Sequence, residues 1–347
     1  MKTLPLDAFL ARAAENPLGL ARLAGVFFNM GDEGRAREVA LQAIAAAPDD
    51  PEIRSLATSV LGNGVPRFHF SILRDEALYA AYEAALRRAV TPQTRVLEIG
   101  AGTGILAMMA ARAGAEHVVT CEMMPAVAEA ARDIVALNGY ADRVRVIAKK
   151  SYDLDPNADM SGLAELLVSE IFGNDMLSQG VLPVTEHAAK ALLRPGAKVI
   201  PARGIVRLAL AYDAGLPRLG TTEGFDLSPF NRLAANGHII RRGSERLTLL
   251  SAPVDLFDFD FQSGGPFPAA TASATVTSTG GRANGIAQWI ALQMDKEGWY
   301  ENNPDPGASS AFFGVLFWPF IAPRDCPPGT AVTVWGSHDR HRLRIWA

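Results

Sequence analysis

The chain has 347 residues, of which 49% are hydrophobic and 20% are charged, and its net charge is −4. This length predicts two or three domains, and the slight acidity disfavours nucleic acid as the main partner. No apolar run reaches the roughly 18 residues of a membrane-spanning helix, and the N-terminus lacks an apolar signal segment. Cys121 and Cys326 lie too far apart for a metal motif, so we expect a cytoplasmic protein with neither a metal nor a membrane partner.

Residues 1–62 are predicted to form a helical segment, which is wholly helical from about residue 5. The stretch from Asn16 to Asp50 resembles one tetratricopeptide repeat, whose period is about 34 residues. The residues at matching positions are Leu20, Leu23, Phe27, Ala36, Ala40 and Pro48. A single repeat cannot bury its own apolar face. The segment is therefore either a cap on the catalytic domain or a surface for a dimer or a bound peptide.

Residues 63–201 alternate between apolar strands and helical patterns, which predicts a doubly wound, parallel α/β sheet. Strands are predicted at 96–99, 118–122, 144–148, 166–169 and 198–200, and helices at 76–90, 105–114, 125–138 and 186–193. In such a sheet the ligand binds at the carboxyl ends of the strands.

After Pro201 the character of the chain changes, and residues 202–347 are predicted to form a β-rich second domain. Strands are predicted at 205–211, 254–261, 272–278, 285–293, 312–319, 331–335 and 343–346. A helical period is present only around residues 228–235.

The most informative stretch is VLEIGAGTGIL, residues 96–106, a buried strand followed by a glycine-rich turn and a helix. Gly100, Gly102 and Gly104 stand at every second position, which lets the backbone approach a ligand closely. The dinucleotide fingerprint G-x-G-x-x-G does not fit, because the third glycine comes one residue early. Glu98 would repel a pyrophosphate, but it suits a cationic methionine moiety with an ammonium group.

This pattern resembles the first motif of class I S-adenosyl-L-methionine (SAM) methyltransferases. Glu122 strengthens the resemblance, because it ends the next predicted strand, where a carboxylate would bind the two ribose hydroxyls. Ser151 and Tyr152 follow the third strand of this domain, where the adenine would lie. A solvated loop is the alternative interpretation for Tyr152.

From Val65 to Trp346 the chain resembles the protein arginine methyltransferase family. The resemblance rests on PRFHFSILRD, VLEIGAGTGILAMMA, CEMMPAVAEAARDIVALNG, VSEIFGNDMLSQGVLPVTEHA and the pair GIAQWIALQMD and GVLFWPF. It implies a Rossmann-like SAM-binding domain followed by a β-barrel, with the N-terminal helices typical of a branch that carries tetratricopeptide repeats.

The resemblance also implies a loop with two glutamates that hold the acceptor guanidinium, together with a histidine from the barrel. The first glutamate matches Glu170, whereas the second position holds Gln179. The histidine–tryptophan pair falls on residues 309–311, which are Ser-Ser-Ala, and an arginine for the SAM carboxylate falls on Leu78. An amide cannot pair a guanidinium as a carboxylate does.

Four further residues have two interpretations each. Asp175 either supplies the missing charge or is a solvated loop acid. Arg74 either replaces the arginine lost at Leu78 or is a surface residue. His69 either contacts the cofactor or packs between aromatic rings. His187, at the predicted start of a helix, either has a supporting or surface role or takes part in catalysis.

We therefore expect a SAM-dependent N-methyltransferase that acts on a guanidine nitrogen of arginine, releases S-adenosyl-L-homocysteine (SAH) and needs no metal. Glu170 and Gln179 are the expected catalytic residues. The acceptor is an arginine-containing protein or peptide, or a small guanidine, and a homodimer is a further expectation. The alternatives are a degenerate family member that acts as a scaffold and a methyltransferase of another small metabolite.

Overall fold

The computed structural model describes residues 16–63, 65–66, 68–234, 236–304 and 313–347. The chain forms two compact units, Met1–His69 and Phe70–Ala347. Within the described residues, no helix combines the length and the apolar character needed to cross a membrane.

The first unit contains helices α1 (Pro17–Asn29), α2 (Glu33–Ala46) and α3 (Pro51–Leu61). Each begins at a side chain that accepts hydrogen bonds from the first free backbone N–H groups, namely Asn16, Asp32 and Asp50. The three helices bury Leu20, Leu23, Phe27, Ala36, Ala40, Ile53 and Ala57 in one apolar cluster. The helical prediction is confirmed from residue 17 onward. Residues 1–15 lie outside the described part, and the tetratricopeptide resemblance stays a prediction.

The second unit begins with a parallel sheet of β1 (Arg95–Ile99), β2 (His117–Cys121), β3 (Val144–Ile147), β4 (Ala164–Ser169) and β5 (Leu193–Ile200). Its helices are α4 (Glu76–Ala89), α5 (Ile105–Arg112), α6 (Pro125–Leu137) and α7 (Val181–Ala191). The strand order is β3-β2-β1-β4-β5. The order reverses between β1 and β4, which is where ligands bind in such sheets. The doubly wound fold is confirmed.

The helix predicted at 186–193 is wrong at both ends, because α7 begins at Val181 and β5 already begins at Leu193. The helix begins after Gly180, which adopts a left-handed conformation, and Pro183 is tolerated in its first turn. Pro195 is tolerated within β5 because this strand lies at the edge of the sheet.

The remainder of the second unit is sheet-rich and barrel-like. Its long strands are β6 (Arg203–Asp213), β11 (Val254–Asp260), β12 (Ala270–Thr277), β13 (Gly281–Gln293), β15 (Val315–Cys326), β16 (Ala331–His338) and β17 (Leu343–Trp346). The larger sheet has the order β10-β6-β13-β15-β9, in which β10 is Leu247–Leu249 and β9 is His238–Ile240. Strand β11 also pairs with β6, and β12-β16-β17 form a smaller sheet. All seven predicted strands are present, with Phe312 outside the described residues.

Five short strands were not predicted: β7 (Thr221–Thr222), β8 (Phe225–Asp226), β9 (His238–Ile240), β10 (Leu247–Leu249) and β14 (Trp299–Glu301). Two or three residues are too few to reveal an alternating pattern. The helical period near residue 228 corresponds to a 3-10 helix, Ser228–Leu233.

One apolar core joins the parallel sheet to the barrel-like part. Only Pro201 and Ala202 separate β5 from β6, and the side chain of Gln262 accepts a 3.0 Å hydrogen bond from the backbone N–H of Val199. The parallel sheet and the barrel-like part therefore pack against each other through a common core.

Candidate active site

The glycine loop follows β1 in a conformation that favours glycine at three positions. Gly100, Gly102 and Gly104 have φ values of +89°, +51° and +77°. A Cβ on Gly104 would lie 3.1 Å from Cγ2 of Val135. The loop ends at the N-terminus of α5, whose free N–H groups favour an anionic group such as a carboxylate.

Gly100 is also the point where the glycine loop meets the loop after β4. A Cβ on Gly100 would lie 2.7 Å from Cγ2 of Ile171, which is closer than any side chain tolerates. Ile171 directly follows Glu170. The side chain of Ile171 therefore packs directly on the backbone of the glycine loop at Gly100.

Glu122 lies immediately after β2 and is buried. One carboxylate oxygen accepts a 3.2 Å hydrogen bond from the N–H of Gly102, and the other accepts a 2.9 Å bond from the N–H of Met124. The carboxylate thus lies between the glycine loop and the start of α6. The sequence predicted this residue at the end of the strand, and the structure brings it to the glycine loop.

Glu98 is only 1% exposed. Burial raises the pKa of its carboxyl to about 8, and the charge of Glu122 adds to the rise. Its Oε2 has no hydrogen-bond partner in the part of the chain that the structure describes. An unpaired, buried carboxyl oxygen beside the glycine loop fits a cationic ligand group, which would lower this pKa. The two carboxylates, as acceptors, and the glycine loop therefore fit SAM.

Glu170 follows β4 at the same edge of the sheet. Burial raises the pKa of its carboxyl to about 8, and the charge of Asp75 adds to the rise. Its Oε1 also lacks a partner among the described residues. The hydroxyl of Tyr82 on α4 donates a 2.7 Å hydrogen bond to the carbonyl of Ser169 and so fixes the end of the strand that presents Glu170.

The segment from Ile171 to Gly180, which we call the acid loop, contains the other two predicted acceptor residues. Oδ1 of Asp175 accepts hydrogen bonds from the N–H groups of Leu177 and Ser178, at 3.1 and 2.9 Å, and so closes a turn. Gln179 is exposed on the turn that precedes α7. Its catalytic role stays a prediction.

The barrel-like part holds the acid loop at Asn174. Nε2 of Gln288 on β13 donates a 3.0 Å hydrogen bond to the carbonyl of Asn174. Oδ1 of Asn174 accepts a 2.8 Å bond from the N–H of Gly314, and Asn302 donates a 3.0 Å bond to the carbonyl of Gly314. This network was missed by the sequence analysis. A glutamine within the apolar run GIAQWIAL was the signal available.

The residues proposed to bind the adenine side lie near the same edge of the sheet. Ser151 is buried and begins a 3-10 turn after β3. The half-exposed ring of Tyr152 packs against His187 at 4.6 Å between centroids. His187 is the seventh residue of α7, so its predicted position at the start of a helix is wrong.

Three further residues that the sequence analysis singled out are His69, Arg74 and Leu78. His69 belongs to the first unit, where its ring lies 4.3 Å from that of Phe68. Arg74 is exposed in the 3-10 turn before α4, and Leu78 is fully buried in the core. The cofactor roles of His69 and Arg74 stay predictions, and residues 309–311 lie outside the described residues.

Residues 83–206 match the protein family described as ribosomal protein L11 methyltransferase (PrmA). An arginine N(omega)-methyltransferase from Streptomyces achromogenes subsp. streptozoticus is 35% identical over 275 residues, which cover 77% of this chain and 76% of the relative. The chain belongs to the protein arginine methyltransferase family. Protein arginine N-methyltransferase 7 of Danio rerio is 32% identical over 302 residues, covering 78% of this chain but only 44% of the relative. The chain therefore spans less than half the length of that family member.

Solved structures agree on the fold. The PRMT1 enzyme–prozyme heterotetrameric complex of Trypanosoma brucei, with AdoHcy, has a TM-score of 0.69 at 21% identity and covers 80% of this chain and 91% of its own. Protein arginine methyltransferase 10 of Arabidopsis thaliana has a TM-score of 0.65 at 16% identity, over 79% and 89% of the two chains. Family membership supports SAM-dependent methylation of arginine as the activity.

Proposed function

We propose that the protein transfers a methyl group from SAM to a guanidine nitrogen of arginine, and that Glu170 orients the acceptor. The observation that carries this proposal is the buried, unpaired Oε1 of Glu170, on a loop that touches the glycine loop at Gly100. An acceptor paired with Glu170 would therefore lie next to the cofactor. Holding the two reactants in line supplies much of the acceleration in such a transfer.

SAM would bind along Gly100, Gly102 and Gly104. Glu122 would accept from the ribose hydroxyls, and Glu98 would face the ammonium group. Ser151 would border the adenine, with His69 and Arg74 as further cofactor contacts. When bound, SAM supplies an electrophilic methyl group on a sulfonium, and SAH is the product. The protein's residues bind the two reactants, orient them and exclude water from the site.

The guanidinium of arginine is delocalised and a poor nucleophile. An ionised Glu170 would pair two of its N–H groups and draw positive charge away from the reacting nitrogen. The cation would in turn lower the raised pKa of Glu170, so binding would release a proton. Gln179 would contribute an amide carbonyl to the same guanidinium.

We propose that the methyl acceptor is free arginine or another small guanidine, in preference to an arginine residue of a protein. The Streptomyces relative is named an arginine N(omega)-methyltransferase, and the match covers similar shares of both chains. Family members named protein arginine N-methyltransferase 7 are more than twice the length of the matched region. Methylation of an arginine-containing protein or peptide is the alternative acceptor.

A degenerate, scaffolding member of the family is the second candidate, favoured by Leu78 in the core and by the exposed amide of Gln179. In that case SAM and SAH would bind weakly or not at all. The N-terminal helices, as a tetratricopeptide-like docking surface, would then be the working part of a cytoplasmic protein.

A second copy of this chain is the proposed partner for the segment between β6 and β9. This segment exposes Leu219, Phe225, Leu227, Phe230 and Leu233. So many neighbouring exposed apolar side chains indicate an interface. Light scattering on the full chain should report a dimer, and Phe230→Asp should shift the mass towards the monomer.

The experiment that tests the function has two steps. Calorimetric titration with SAM and SAH first separates an enzyme from a scaffold. Labelled SAM is then supplied with L-arginine, with an arginine-containing peptide and with a lysine peptide as a control. Methylation of arginine that is lost in Glu170→Gln supports the proposal, whereas SAH binding without any arginine methylation rejects it.

A further inference from the structure

Gln288 is a fully buried polar residue in the middle of β13, between Leu208 of β6 and Leu316 of β15. Its Nε2 donates to the carbonyl of Asn174, but its Oε1 has no partner among the described residues. Leaving a buried acceptor unpaired is destabilising, so such a group calls for an explanation.

The orientation of this amide follows from its neighbour. If the amide were turned over, its oxygen would face the carbonyl oxygen of Asn174 at 3.0 Å, with no proton between the two acceptors. The nitrogen is therefore the atom that contacts Asn174. The unpaired atom is an acceptor, and only a donor can satisfy it.

The surroundings of Gln288 indicate what kind of donor is missing. Asn174 follows Glu170 by four residues, and it is held on its other side by the N–H of Gly314. Oε1 of Glu170 is likewise buried and unpaired. One unpaired acceptor thus belongs to Glu170, and the other belongs to the amide that is bonded through its nitrogen to Asn174, four residues further on. A guanidinium has five N–H donors and no acceptor, so it complements such a pair.

We propose that Oε1 of Gln288 is a second acceptor for the substrate guanidinium, opposite Glu170. The proposal rests on the proposed function for the identity of the substrate. It places this acceptor in the barrel-like part, in addition to the exposed amide of Gln179, because Oδ1 of Asp175 is engaged in its own turn. A planar cation with N–H groups on two edges can satisfy both acceptors, and this favours a guanidinium over a compact ammonium.

The competing role for Gln288 is purely structural, with Nε2 anchoring the acid loop and a buried water on Oε1. Two substitutions separate these roles. Gln288→Glu keeps an acceptor oxygen and loses the N–H donor, whereas Gln288→Met keeps the length of the side chain and loses both. An anchoring role predicts equal defects in the two variants. An acceptor role predicts a defect in Gln288→Met that Gln288→Glu rescues.

Gln262 provides a matched control, since both ends of its amide are paired, with the N–H of Val199 and the carbonyl of Ala197. Gln262→Met therefore removes a bonded amide at a position outside the acid loop. All three variants are compared with the natural protein, saturated with SAH, at about pH 8.5, which lies above the pKa of about 8 of the Glu170 carboxyl. Calorimetry reports the affinity for L-arginine and for an N-acetylated arginine peptide, and SAH affinity is measured separately.

We expect Gln288→Met to weaken binding of the better acceptor about tenfold or more, which corresponds to ~1.4 kcal/mol. SAH affinity should be unchanged in all variants, and Gln288→Glu and Gln262→Met should bind the acceptor at least as well as the natural protein. Equal losses in the two Gln288 variants, or no loss in either, would overturn the inference. If Gln288→Met does not fold, unchanged or stronger acceptor binding by Gln288→Glu supports the inference and weaker binding overturns it.

Failure of the proposed function would give a result that differs from failure of the inference about Gln288. In that case the natural protein would bind SAH but neither L-arginine nor the peptide, and the inference would fall with it. Arginine binding by the natural protein, with Gln288→Met indistinguishable from it, would reject the inference alone.

Discussion

The hydroxyl of Tyr300 donates a 2.6 Å hydrogen bond to Oδ2 of Asp75, a residue 225 positions earlier in the chain. Oδ1 of Asp75 accepts from the N–H of Leu78 and so caps α4. Both side chains are buried. The barrel-like part therefore holds the first turn of α4. The same helix carries Tyr82, whose hydroxyl fixes the end of β4 just before Glu170.

Tyr300→Phe removes only the hydroxyl and leaves a buried oxygen of Asp75 without that donor. We expect the free energy of unfolding to fall by about 1–3 kcal/mol, the cost of an unsatisfied buried polar group. Urea denaturation followed by circular dichroism measures it. Tyr212→Phe, at an exposed position of β6, is the control and should change stability by less than about 0.5 kcal/mol. Equal midpoints for the two variants would show that the bond contributes nothing.

Glu122→Ala should weaken SAH binding about tenfold to a hundredfold, the scale of ~1.5–3 kcal/mol for hydrogen bonds to a charged group. Part of this loss would come from the glycine loop, because Glu122 also accepts from Gly102. Calorimetry with SAH is the measurement. Glu116 lies just before β2, as Glu122 lies just after it, and is exposed. Glu116→Ala should bind SAH normally, and a comparable loss there would point to a general effect on the sheet.

The raised pKa of Glu170 predicts how acceptor affinity depends on pH. A guanidinium binds the ionised carboxylate, and the pKa of this carboxyl is about 8 in the protein without ligand. Affinity for an N-acetylated arginine peptide should therefore rise from pH 6.5 towards pH 8 and level off above it, by about tenfold per pH unit at most. Titrations across this range measure the slope. Glu170→Gln should bind weakly with no such slope, and a flat profile in the natural protein would contradict the prediction.

The raised pKa of Glu170 also predicts how the stability of the fold depends on pH. This trend is opposite to that of acceptor affinity. Folding raises its pKa from 4.5 to about 8, so between these values the folded state holds a proton that the unfolded state has lost. The contribution of Glu170 to the free energy of unfolding should therefore decrease as pH rises from about 5 to 8. The decrease should be smaller in Glu170→Gln. Glu98, whose pKa is also about 8, contributes in the same direction in both proteins.

Gln179→Glu should increase arginine methylation, because a second carboxylate adds a charge-assisted contact worth ~1.5–3 kcal/mol. The exposed position of Gln179 means that the substitution should hardly affect stability. The double variant Gln179→Glu with Ser310→His tests whether the missing barrel histidine limits the rate instead. Brisk methylation by the natural protein that Gln179→Glu slows would remove this residue from the second acceptor position.

The positions of the glycine loop and of the carboxylates beside it could be predicted because their signals are local. The glycine spacing after β1 and the carboxylates after β2 and β4 are each contained within a few residues of one strand. The barrel side could not be predicted in this way. The bonds from Gln288 to Asn174 and from Tyr300 to Asp75 join residues 114 and 225 positions apart, and no short pattern encodes them. The start of α7 was misplaced for a different reason, because it begins after a left-handed glycine rather than at a capping side chain.

The close approach of Gly100 to Ile171 has a consequence for the order of events during turnover. One of these residues belongs to the glycine loop proposed to bind the cofactor and the other to the acid loop that follows Glu170, and a Cβ on Gly100 would lie only 2.7 Å from Cγ2 of Ile171. If SAM binds along the glycine loop as proposed, it would lie against Gly100 and so close to Ile171, the residue that follows Glu170. We expect compulsory-order kinetics, in which SAM enters first and the acceptor site reaches its final geometry only around it.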